Sequence, residues 1–172
     1  MTAAAFVVSI CALAFTVISF WWLNARTGRL RSFAPQTFSG SNTPDRAIIL
    51  LPLVLQNTGA QSIVVQDLRL AVLGEPKLEP LRWARTRRQL RPRSDEEPDF
   101  ASVFSVPGHQ AHQLFAEFDA RHELGKIDRA VRLEAKTGHR RRWVELATFT
   151  LHLSAIVHPS QFITYANTPP SE

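Results

Sequence analysis

A chain of 172 residues has room for one ordinary domain and an appendage, and 45 % hydrophobic content with few glycines excludes a largely disordered protein. The formal charge of +5 invites a nucleic-acid reading, but its distribution argues against one. Arg26, Arg29 and Arg31 supply +3 within residues 1–31, and the rest of the chain carries 17 basic against 15 acidic side chains.

The first element is Ala3–Leu23, 21 residues without a charge. At about 1.5 Å per residue it reaches roughly 31 Å, the thickness of a bilayer's hydrocarbon core. Trp21 and Trp22 stand where an aromatic belt would lie, and Arg26, Arg29 and Arg31 form a basic flank behind them. These five residues are the expected interface anchors of a membrane span through residues 3–23. The rival is a cleaved signal peptide. The segment before the apolar run has no Lys or Arg, the run exceeds a normal signal core, and Leu23 stands where a small residue is wanted before the cut, so an uncleaved anchor is the expectation. Basic residues only on the downstream side predict an N-terminus outside and a domain in the cytoplasm. The single cysteine, Cys11, lies in the span, which leaves the domain without a disulfide and suits a reducing compartment.

Residues 32–45, with Pro35, Gly40 and Pro44, are expected to form a linker or a loose first strand. A period of two then begins. Residues 46–57, RAIILLPLVLQN, are apolar on both faces like a buried strand, with Pro52 demanding an edge or a bulge. Residues 57–60, NTGA, make a turn, and Val64, Leu68, Leu70 and Val72 alternate with Asp67 and Arg69. Phe100, Phe104 and Val106 come next, followed by Leu114, Ala116 and Phe118. Val131, Leu133 and Ala135 follow, then Trp143, Phe149, Leu151 and Leu153 against Thr148, Thr150 and His152. Six or seven short strands without a helical stripe predict an all-β fold, an antiparallel immunoglobulin-like β-sandwich over residues 46–166 preceded by one N-terminal transmembrane helix. Residues 167–172 are expected to fray.

The span with WWLNARTGRLR (21–31), the strand–turn–strand LVLQNTGAQSIVVQDLRL (53–70) and FSVPGHQAHQLFAEF (104–118) carry a resemblance. Together they resemble small bacterial membrane proteins with one N-terminal span and an immunoglobulin-like β-sandwich. The resemblance is architectural, covers nearly the whole chain, and implies no catalytic residue.

Chemistry-bearing motifs are sparse. His109 and His112 have the spacing of a zinc pair, but a site needs further ligands and the other histidines are scattered. There is no nucleophile elbow and no glycine-rich phosphate loop, and Glu96–Glu97 fall in a charged segment where water keeps both ionised. No cofactor, metal or catalytic residue is implied, and the expectation is a non-catalytic interaction module at the membrane.

The densest signal is WARTRRQLRPRSDEEPDF, residues 83–100. Its bland reading is a solvated hairpin whose acids fold back onto its arginines, each exposed pair contributing about 0–1 kcal/mol. Acids so close behind disfavour nucleic acid. Contact with an anionic lipid surface or with a protein partner is expected of Arg85, Arg87, Arg88 and Arg91, and of a second basic tip, Arg140, Arg141 and Arg142. Two alternatives stand beside this: an envelope domain exported by a signal sequence, and a ligand carrier or enzyme with a pocket between sheets.

Overall fold

The computed structural model describes residues 3–75, 77–92, 96–138, 142–158 and 162–167. An apolar helix, α1 (Ala3–Phe20), runs into a π-helical turn, Trp21–Ala25. None of its side chains is buried, and Ser9 and Thr16 donate their hydroxyls to carbonyls one turn back. The helix with its terminal turn is long and apolar enough to cross a bilayer.

The strands that follow are β1 (Leu30–Ser32), β2 (Thr37–Thr43), β3 (Arg46–Asn57), β4 (Ile63–Val72), β5 (Leu81–Arg87), β6 (Asp99–Phe100), β7 (Phe104–Val106), β8 (Ala111–Ala120), β9 (Arg129–Thr137), β10 (Val144–Leu151) and β11 (Ile163–Ala166). Every pairing is antiparallel, and the main hydrogen-bonded path runs β10-β9-β4-β5-β8-β3-β2-β11. Two separate sheets were expected; the ladder instead runs through one sheet curled into a half-barrel. The path narrows at β4–β5, where only Arg69 and Leu70 pair with Arg82 and Leu81. Inside the curl one apolar core draws on both halves, with Leu51, Leu53, Phe118, Leu70 and Leu133 fully buried. Burial of side chains this size contributes about 1.5–3 kcal/mol each.

Of the two readings of residues 32–45, linker or first strand, the strand is the one that forms, as β2. Phe38 at the start of β2 is completely buried, and β2 pairs with both β3 and β11. Its Ser39 and Asn42 are buried with their polar groups satisfied: Ser39 Oγ donates to the Ile163 carbonyl, and Asn42 holds Leu124 N–H and the Gly125 carbonyl. Pro52 sits where β3 has a neighbour on one side only, between the reach of β2 and that of β1, so its missing N–H breaks no ladder bond there. Bulges correct two expected faces. The shift between Val65 and Asp67 buries Val65 rather than Val64, and the shift between Glu145 and Ala147 buries Leu146 while Trp143 stays on the outer face under Arg69. Phe100 is 83 % exposed rather than aligned with the core. Asn167 is no frayed end: it is buried, donating to the Pro35 carbonyl and accepting from His152 N–H. Residues 168–172 lie outside the described residues.

The helix is spliced closely to the sheet. Arg26 O accepts from Ala60 N–H at 2.9 Å, Arg29 O accepts from Thr58 N–H at 3.1 Å, and Arg29 N–H donates to Thr58 Oγ1. Gly28 and Gly59 pack backbone to backbone; a Cβ on Gly28 would lie 2.1 Å from Gly59 N. Buried Asn57 organises this turn by accepting from Gly59 N–H and donating to the Gln61 and Val106 carbonyls. The domain thus starts within five residues of the helical turn's end at Ala25, at Leu30.

Candidate functional site

The arginine run divides in two. Arg85 and Arg87 belong to strand β5, which crosses antiparallel to β8. Across that ladder lies Glu117, 1 % exposed. Arg87 Nε donates to Glu117 Oε2 at 2.7 Å, and Arg85 Nη1 stands 3.9 Å from Oε1. A carboxylate this deep needs charge and hydrogen bonds beside it, since an unpaired buried charge costs several kcal/mol. The expectation of a solvated run is therefore corrected at Arg87, whose side chain is 12 % exposed and whose Nη1 also donates to the Glu96 carbonyl at 3.3 Å. Glu96 folds back onto the run by meeting backbone and amide: its carboxylate accepts from Arg88 N–H at 2.9 Å and from Gln89 Nε2 at 3.3 Å.

Arg88 and Arg91 are exposed. Both β3 and β5 run antiparallel to β8, so they run in the same direction. Strand β3 descends toward the turn bonded to the end of the apolar helix, and the segment after Arg87 leaves β5 toward that same end. Near it, Phe100 with Trp83, Phe104 and His112 lines a hollow of about 400 Å³. Trp83 meets Phe104 edge-on at 5.9 Å and Phe104 stacks on His112 at 4.7 Å, so the hollow has a fixed aromatic wall. His112 is thereby a packing residue. His109 is exposed on the neighbouring turn at φ 56°, and no group of three metal-ligating side chains occurs among the described residues.

At the end of the apolar helix, Arg26 lies 4.1 Å over the Trp22 ring, and Trp21 and Trp22 are exposed. Arg29 and Arg31 are exposed on either side of buried Leu30. Their guanidinium groups have no acid partner among the described residues. On the second basic tip, Arg142 is exposed, and Arg140 and Arg141 lie outside the described residues.

Sequence reasoning missed the charged groups that the sheet buries. Glu134, 6 % exposed, accepts from Arg69 Nε at 2.6 Å and has Arg132 Nε at 2.9 Å without hydrogen-bond geometry. Arg69 in turn lies 4.2 Å over Trp143. Arg46 forms a two-pronged pair with Asp119, and this hydrogen bonding raises the Arg46 pKa above its ordinary value. Asp128 accepts from Ser154 Oγ at 2.6 Å and lies 2.7 Å from His152 Nδ1, contacts that hold its carboxyl below the ordinary range, the Ser154 bond contributing most. Ser154 bonds the carboxylate rather than the imidazole, so the three are a loop staple and not a nucleophile relay. Apart from Arg132 with Glu134, which share β9, each pair joins strands or loops far apart in sequence, and its signal appears only once the register is known. No protein-family description matches the sequence, and no curated protein matches it either.

Proposed function

We propose that the chain is a single-pass membrane protein whose β domain is a non-catalytic protein-interaction module held close to the bilayer surface. The splice carries this reading: two backbone hydrogen bonds and the Gly28–Gly59 contact fix the sheet to the end of the apolar helix, leaving no free tether. The partner surface we assign to the β5–β6 hairpin, where exposed Arg88 and Arg91 follow the end of β5 and exposed Phe100 lines the aromatic hollow. Arginine beside aromatic anchors is the composition that dominates interface energetics. A photo-crosslinking residue at Phe100 in native membranes should give one discrete protein adduct, lost when Trp83 and Phe104 are replaced by alanine. No adduct from Phe100, with a full yield from an irrelevant exposed position such as Glu79, would remove this surface from consideration.

Two finer points belong to the same proposal. The curled sheet is an immunoglobulin-like sandwich whose halves, β10-β9-β4 and β5-β8-β3-β2-β11, join at the two-residue β4–β5 seam; an experimental structure with a continuous, wide β4–β5 ladder contradicts it. The domain is cytoplasmic, supported by Arg26, Arg29 and Arg31 just after the span. Protease added to sealed, right-side-out vesicles should leave the domain intact, and mass spectrometry should find no mature N-terminus near Arg26.

A further inference from the structure

The splice creates a second feature. Between β1, the anchor-side strand, and β10, the end strand of the sheet path, lies an open groove of about 970 Å³. Its floor includes the apolar side chains of Leu30, Ile63 and Leu146, each under 9 % exposed. One wall is the stretch from Thr27 to Ser32, which carries exposed Arg29 and Arg31 on the strand face opposite Leu30. The facing wall presents Glu145, which is already engaged: it accepts from Thr148 Oγ1 at 3.0 Å and has Arg132 Nη1 at 3.7 Å. The groove begins at Thr27, two residues after the helical turn ends. At about 3.3 Å per extended residue, Arg29 and Arg31 lie within roughly 20 Å of the helix end.

We propose that this groove takes the headgroup of an anionic phospholipid from the adjoining leaflet, its phosphodiester between Arg29 and Arg31 and its glycerol and upper acyl carbons on Leu30, Ile63 and Leu146. Guanidinium forks match phosphate oxygens in geometry and charge, and two of them without acid partners leave the groove wall cationic. The volume fits a site for one small amphiphile. An apolar floor running up to the bilayer suits a ligand that is itself amphipathic, which free phosphate is not. The proposal rests on reading Ala3–Ala25 as a membrane span.

The test uses the full-length chain in nanodiscs containing a photoactivatable phosphatidylglycerol with its diazirine near the glycerol. Labelling should appear on peptides holding Gln61–Ile63 or Val144–Leu146, far in sequence from the helix, as well as on the helix. Arg29→Gln with Arg31→Gln should cut the groove label at least fivefold and leave the helix label unchanged, whereas Arg88→Gln with Arg91→Gln should alter neither. A phosphatidylcholine version of the probe should label the helix alone, and soluble glycerophosphoglycerol should not compete. Label confined to the helix, or groove label equal for the two lipids, overturns the proposal while leaving the membrane span in place. A chain found without residues 1–25 in its membrane fraction overturns the span itself and the groove assignment with it.

Discussion

Two arginine clusters of the same chain behave in opposite ways. On β5, Arg87 is turned onto a carboxylate that is 1 % exposed, and Arg85 adds a second cation at 3.9 Å. Along Arg26–Arg31 the backbone is tied into the turn at Thr58–Ala60 while the Arg29 and Arg31 guanidinium groups stay exposed. In the first cluster charge is part of the fold, because Glu117 has exchanged water for arginine. In the second, the fold uses the main chain and leaves the charge exposed. A positive run therefore does not announce its role by density. What decides is whether a buried acid stands across the ladder.

The largest break in this contrast should come from Arg87→Gln. It leaves Glu117 with only the more distant Arg85, and losing one member of a buried pair costs about 3 kcal/mol or more. Chemical denaturation of the full-length chain in detergent micelles should show that loss, whereas an exposed arginine would show almost none. Next comes Gly59→Ala in the turn beside the apolar helix. The new Cβ would meet Gly28 N at 2.0 Å, and relieving such a clash costs about 1–3 kcal/mol. The same denaturation assay should show this loss, and the labelled distance between helix and sheet should broaden by electron paramagnetic resonance.

A smaller effect is expected at Asp128. Its folded pKa is lowered, chiefly by the Ser154 hydroxyl, so its contribution is present at neutral pH and is lost as pH falls below about 3.9 toward the folded value. The carboxyl is 38 % exposed, so solvent weakens the contribution. Asp128→Asn should flatten the acid limb of stability against pH; identical acid limbs contradict the assignment. The smallest effect belongs to the free cations. Arg29→Gln with Arg31→Gln, or Arg88→Gln with Arg91→Gln, should each change stability by less than about 0.5 kcal/mol.

Much of this was legible in the sequence, and the exceptions share a cause. The strands at Arg46–Asn57, Ile63–Val72, Ala111–Ala120, Arg129–Thr137 and Val144–Leu151 announce themselves because one face must be apolar. Strand β2 does not, since Ser39 and Asn42 are buried by hydrogen bonding rather than by apolarity, and their partners lie 80 or more residues away. Strand β5 hides for a related reason: its arginines imitate a solvated loop until Glu117, 30 residues on from Arg87, is placed opposite. Bulges shifted the faces of β4 and β10, and a strict period of two cannot foresee them. The apolar helix and its basic flank were visible from composition alone, but not the backbone splice to Thr58 and Ala60, whose glycines read only as turn residues.

The most direct test of the division between structural and free arginine is a double-mutant cycle on Arg87 and Glu117 in the full-length chain. Arg87→Gln, Glu117→Gln and the double variant should give a coupling energy of about 2 kcal/mol, with the double variant more stable than Arg87→Gln alone. Coupling below about 0.5 kcal/mol, with Arg87→Gln no more costly than Arg91→Gln, would show the β5 cluster to be as free as the arginines at the anchor.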